Sequence, residues 1–212
     1  MDYGKAPRHL GLYQVDTDLV EVHAYLYMPI KMAGGRSVRY PRNMWWADEI
    51  IADVCHGQFV HDDHYVYLTS KKVFVQPGYS GNRPGWHGDG FGTEDLNFIW
   101  YDRDPTRICV QPFTIADDHV ESMRQMAEQV DERNVQYYPN QSLLLLDQYV
   151  VHDVPTISAP GWRVFLKLSV SKFKYNLAGN SHNPEFNYTW DMHDRDAQRN
   201  DPIYGETDYV VE

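Results

Sequence analysis

At 212 residues the chain is long enough for one domain with a full hydrophobic core and short for two. Its formal net charge of −11 disfavours a duplex nucleic acid or an anionic membrane as partner. Two cysteines without CxxC spacing, Cys55 and Cys109, exclude a disulfide framework and a zinc ribbon. No run approaches the ~18 apolar residues of a membrane span.

Residues 1–5 lack a basic region followed by an apolar run, so no secretory signal is expected and a cytoplasmic location is the default. Sixteen Tyr and six Trp favour half-buried positions, which suits a mainly β protein with lined concavities.

In chain order, residues 20–30 alternate in part (Val20, Val22, Ala24, Leu26, Met28, Ile30), a strand signal that Pro29 and Gly34-Gly35 end. From Asn43, a plausible N-cap, Met44, Trp45, Ala47, Ile50, Ile51 and Val54 recur at helical spacing up to Gly57. Short β-like runs follow at 65–68, 72–76, 96–101 and 108–113, separated by Pro77-Gly78, Gly81-Asn82 and Arg103-Asp104-Pro105. A second amphipathic helix is expected over 117–133, with Val120, Met123, Ala127 and Val130 on its apolar face. Strands are expected again at 136–138, 142–146 and 162–171. The remainder, from about residue 176 to 212, is polar and irregular and should wrap the domain or fray. One domain over 1–212 is therefore expected, a jelly roll with two or more α-helices packed on one face.

The chemistry concentrates at His87-Gly88-Asp89. In an extended segment these two side chains leave the same face, and Gly88 and Gly90 let the chain bend closely around a small ion. An imidazole and a carboxylate so placed are two of the three ligands of a 2-His-1-carboxylate triad, which leaves coordination positions open. The third is expected from His152, which follows the Leu-rich strand 143–146 and a turn. Eleven residues on, Arg163 opens an apolar strand, where its planar fork suits a carboxylate in a dry pocket.

On these residues, His87-Gly88-Asp89, His152 and Arg163, the chain resembles the Fe(II)/2-oxoglutarate-dependent dioxygenase superfamily over roughly residues 73–171. The resemblance implies a cupin-like double-stranded β-helix and iron held by His87, Asp89 and His152. It implies 2-oxoglutarate as co-substrate with its distal carboxylate on Arg163. Molecular oxygen would convert that acid to succinate and CO2 while a small organic substrate is oxidised. Relatives that halogenate carry a small residue at the carboxylate position, so Asp89 favours hydroxylation or desaturation. Many relatives also place Ser or Thr two residues after the Arg, where this chain has Phe165. Tyr79 and Lys167 are then further candidates to share the co-substrate, and Trp86 and Asn97 candidate pocket walls.

Other readings compete with these. The His61-Asp62-Asp63-His64 run has no glycine-lined cleft or distal third ligand and reads as a solvated loop. Cys55 lies on a core face, which argues against a thiol nucleophile paired with His56. The alternative functions are a cupin-like isomerase or lyase using Mn, Ni or Zn without 2-oxoglutarate, and a non-catalytic β-sandwich module that binds sugar or peptide. Nothing in the sequence specifies an oligomeric state.

Overall fold

The structure, a computed structural model, describes residues 2–82 and 84–194. It is mainly β, with antiparallel sheets and two α-helices. The strands are β1 (Arg8–Leu12), β2 (Ala24–Lys31), β3 (Tyr65–Val75), β4 (Leu96–Tyr101), β5 (Arg107–Cys109), β6 (Val135–Gln136), β7 (Ser142–Leu146), β8 (His152–Asp153) and β9 (Gly161–Ser171). The helices are α1 (Asp48–Cys55), which continues a 3-10 turn at Arg42–Ala47, and α2 (His119–Gln129). A six-stranded sheet runs β1-β7-β4-β9-β3-β2 and a three-stranded sheet runs β6-β5-β8.

The central strand β9 organises both layers because its residues alternate faces. Val164, Leu166, Leu168 and Val170 point to one side, where they pack with Phe98, Trp100, Leu143 and Leu145 against Met44, Trp46, Ile50, Ile51 and Val54 of the α1 region. The opposite side faces the small sheet, where Ile99, Tyr101, Leu144, Leu146 and Phe165 meet Ile108 and Val150. Arg163, Lys167 and Ser169 share that inner face. Lys167 is opposite Thr69 of β3 and Ile99 of β4.

Several expectations are corrected. The runs 65–68 and 72–76 form a single strand, β3, paired without interruption to β9 from Tyr65 to Val75. The polar Thr69-Ser70-Lys71 that hid its continuity is satisfied in place. The Thr69 hydroxyl accepts from the Tyr27 N–H, and the Ser70 hydroxyl bonds His23 Nε2 at 2.7 Å. Pro29 stands inside β2, paired with Tyr67, rather than ending it. β2 is an edge strand, where a missing N–H donor is tolerated.

Helix α2 is shorter than 117–133. Asp118 caps it, accepting from the Glu121 N–H at 2.7 Å, and the extended backbone of Val130 stops it. Its buried residues are Ser122 and Met126, while Val120 is exposed. Met126 sets this rotation by inserting among Tyr3, Trp86, Cys109, Phe113 and Val151. The two helices therefore do not share one face: α1 covers the large sheet, and α2 packs on the small sheet.

After β9 the chain wraps back over β2, as the wrapping alternative expects, up to residue 194. Residues 195–212 lie outside the described residues. The wrap is held by the buried amide of Asn183, which donates to the carbonyls of Pro29 (2.8 Å) and Arg39 (2.9 Å). Replacing Asn183 with Ala strands both carbonyls, so Asn183→Ala should lose about 1–3 kcal/mol in urea unfolding. An unchanged midpoint and slope would refute this anchoring.

Candidate metal centre

β8 is only two residues long, yet it carries the site. His87 pairs with His152 through reciprocal backbone bonds, His87 N–H to His152 O at 3.0 Å and His152 N–H to His87 O at 2.9 Å. This antiparallel pairing puts the two rings side by side, with centroids 4.4 Å apart. A Cβ at position 88 would collide with the Gln148 carbonyl oxygen, so only glycine allows the segment to lie this close to the turn before β8. Gly90 turns the chain away after Asp89 with a φ of 72°.

The hydrogen bonds fix the imidazole tautomers. His87 Nδ1 lies 2.6 Å from the Gly85 carbonyl and His152 Nδ1 lies 3.1 Å from the Val150 carbonyl. Carbonyl oxygens only accept, so each Nδ1 carries its hydrogen and each Nε2 is left with a lone pair. Both Nε2 atoms face Asp89, at 3.9 Å from Oδ1 for His87 and 3.7 Å from Oδ2 for His152. The three side chains offer ligand atoms all within 4.8 Å of one another. Two neutral imidazoles and one carboxylate converging in this way fit a first-row divalent ion.

Electrostatics keep these groups in their ligating forms. Burial alone would raise the Asp89 pKa, but Lys167, His152 and His87 outweigh it and hold the carboxyl well below its usual range. Burial, followed by the neighbouring His87, pushes the His152 imidazole down to about 4. The Lys167 ammonium sits 3.1 Å from Asp89 Oδ2 and 3.2 Å from the Tyr27 hydroxyl. Burial opposes its charge, yet Asp89 more than compensates and its pKa is raised. Tyr27 reaches it from a bulge in β2, with a φ of 44° that β-strand residues rarely adopt.

The remaining predicted residues fall as follows. Arg163 is 1% exposed on the inner face of β9. Its Nε donates to the Arg103 carbonyl at 3.0 Å and one terminal nitrogen to the Asp104 carbonyl at 3.3 Å. Burial pushes its pKa down to about 10, and among the described residues it forms no ion pair. Lys167 is in the site. Tyr79 is 61% exposed on the turn that it closes with Gln76. Asn97 is buried on the inner face and accepts from the Ser169 hydroxyl at 2.7 Å. Trp86 packs in the cluster around Met126, with the Arg107 guanidinium 4.8 Å over its ring.

Lys31 ties the 61–64 run down by donating to the His61 and His64 carbonyls. Burial drives the Cys55 thiol up to about 12, which removes it as a nucleophile. Sequence reading missed Tyr27 and Lys71, the latter half-buried on the inner face of β3. The signal for Lys71 was its spacing of two and four from Thr69 and Tyr67, which becomes visible once β3 is continuous.

No protein-family model matches this chain, and no curated protein matches it. Among the described residues, no helix is long and apolar enough to cross a membrane.

The pH dependence of the metal-free protein follows from His152. An imidazole that titrates near 4 folded and near 6.5 unfolded leaves the unfolded chain holding more protons between those values, so stability falls as pH drops through that window. The loss should be on the order of 3 kcal/mol across it, read from urea melts at successive pH values. His152→Gln should flatten this segment, and an equally steep profile in that variant would remove His152 as its cause.

Proposed function

We propose that this chain is an Fe(II)- and 2-oxoglutarate-dependent oxygenase that hydroxylates a small organic substrate and releases succinate and CO2. In this reading the two antiparallel sheets, which are consistent with a β-sandwich, form the double-stranded β-helix of that superfamily. The observation that carries the proposal is the joint placement, on one inner face, of the His87, Asp89 and His152 ligand atoms and a buried guanidinium that makes no ion-pair contact among the described residues. A metal alone explains the triad. Burial costs the Arg163 charge more than the nearby Asp102 and Asp104 return, and an acid that chelates the metal at one end and carries a carboxylate at the other would offset that cost.

His87, Asp89 and His152 would hold the iron, and the backbone carbonyls on each Nδ1 orient the rings for it. Iron(II), when bound, supplies the redox chemistry that couples oxidative decarboxylation of the 2-oxo acid to oxidation of a C–H bond. Arg163 grips the far carboxylate and fixes the direction of the acid. Ile99, Leu144, Leu146 and Phe165 wall the inner face and exclude water, which strengthens every charge interaction within it. The site Lys167 occupies beside Asp89 puts a cation next to the chelating end.

Anaerobic addition of iron(II) and then 2-oxoglutarate should produce a weak visible charge-transfer band in the wild type. It should vanish in His152→Ala. Arg163→Met should weaken binding of the acid about 10- to 100-fold, the effect expected for a lost charge-assisted pair. On admission of oxygen, succinate should appear with oxygen uptake. A well-folded wild type that binds the metal but gives neither band nor succinate would refute the assignment and leave a metal protein of another class.

A further inference from the structure

The inner face of β9 carries more positive charge than one carboxylate anchor requires. Arg163, Phe165 and Lys167 follow one another on that face, and Lys71 of β3 is the direct cross-strand partner of Phe165. Lys71 is therefore the diagonal neighbour of both Arg163 and Lys167, a separation that long side chains bridge on a shared face. Lys167 is answered by Asp89. Neither Lys71 nor Arg163 has an ion-pair partner among the described residues. The Lys71 ammonium donates one hydrogen bond, to the Gly81 carbonyl of the loop that precedes His87, and keeps two N–H groups for another acceptor. Burial and the two neighbouring cations pull its pKa down to about 8. Like charges this close in a half-dry setting call for an anion between them.

Phe165 stands where many members of the superfamily that this chain resembles have a hydroxyl sharing the co-substrate carboxylate with the Arg. The cross-strand partner of that position is Lys71, so the missing donor has a replacement on the adjacent strand. We propose that Lys71 is a second anchor for the distal carboxylate of the co-substrate, acting with Arg163 and selecting diacids over 2-oxo monoacids. This rests on the function proposed above and deepens it by naming a specificity-determining residue that the triad and Arg163 do not include.

The test measures binding, without turnover. Wild type, Lys71→Met and Lys71→Arg, each loaded with Mn(II) under anaerobic conditions, are titrated calorimetrically with 2-oxoglutarate. They are then titrated with 2-oxopentanoate, which has a methyl group in place of the distal carboxylate. Lys71→Met should weaken 2-oxoglutarate at least about tenfold and change 2-oxopentanoate by no more than about twofold, while Lys71→Arg recovers part of the loss. Equal weakening of both acids would mean that Lys71 only braces the Gly81 loop, and no weakening of either would mean that it does not reach the acid. Both results overturn the proposal. If Arg163→Met still weakens 2-oxoglutarate in those cases, the oxygenase reading survives. If wild type binds no 2-oxoglutarate, that reading fails first and takes the Lys71 anchor with it. Should Lys71→Met not fold, Lys71→Gln replaces it with the same expected pattern.

Discussion

The pairing of His87 with His152 through two main-chain hydrogen bonds is the constraint on which the site depends. It fixes the ligands through the backbone and leaves their side chains only a ring rotation to settle. The Gly85 and Val150 carbonyls then settle that rotation. The same pairing explains why position 88 must be glycine, since the segment lies directly on the Gln148 carbonyl. It also explains how a two-residue strand can carry a ligand: β8 is held on one side by β5 and on the other by the His87 bridge. Asp89 needs no separate mechanism, because its spacing of two from His87 delivers it to the same face.

This is why the triad was legible in the sequence while much around it was not. His87 and Asp89 announce themselves through local spacing. His152 follows a run of four leucines that becomes β7 with the boundaries expected, Ser142–Leu146. β9 is likewise readable, because its outward residues are uniformly aliphatic. The misreadings cluster where polar residues are buried for a reason. Thr69, Ser70 and Lys71 read as a break in β3, yet each has a partner or faces the site. Pro29 read as a terminator because position within a sheet, edge or centre, is not local information. Helix α2 was recognised, but its buried side was misjudged: Val120 looks apolar in sequence, and Met126 is the residue that the small sheet accepts.

A strand whose inner face buries polar and charged groups loses the alternation by which strands are recognised. On β9 the outer positions Val164, Leu166, Leu168 and Val170 keep the aliphatic pattern, and on β3 Val66 and Leu68 do before Ser70 and Lys72 break it, whereas the inner positions carry Tyr67, Thr69, Lys71, Arg163, Lys167 and Ser169. The departures from pattern are therefore informative. Tyr27 is another such case, since its unusual backbone breaks the register of β2 and brings its hydroxyl to Lys167. Local irregularity of this kind is sustained only where surrounding structure holds it, and here the Thr69 hydroxyl binds the strained residue's own N–H.

The charge distribution carries the same lesson to the whole molecule. A formal net charge of −11 over the whole chain speaks against large polyanions as partners. The space between the sheets is charged in the opposite sense, with Lys71, Arg163 and Lys167 on the β3–β9 face and Asp89 as the acidic group in direct ion contact with that row. A divalent ion added to the triad would make this interior more positive still. In the proposed oxygenase reading, an acid that chelates at one end and is gripped at the other neutralises both ends at once. In the proposed reading, small size and double negative charge are what this wall asks of its ligand, and the net negative charge of the chain disfavours larger polyanions.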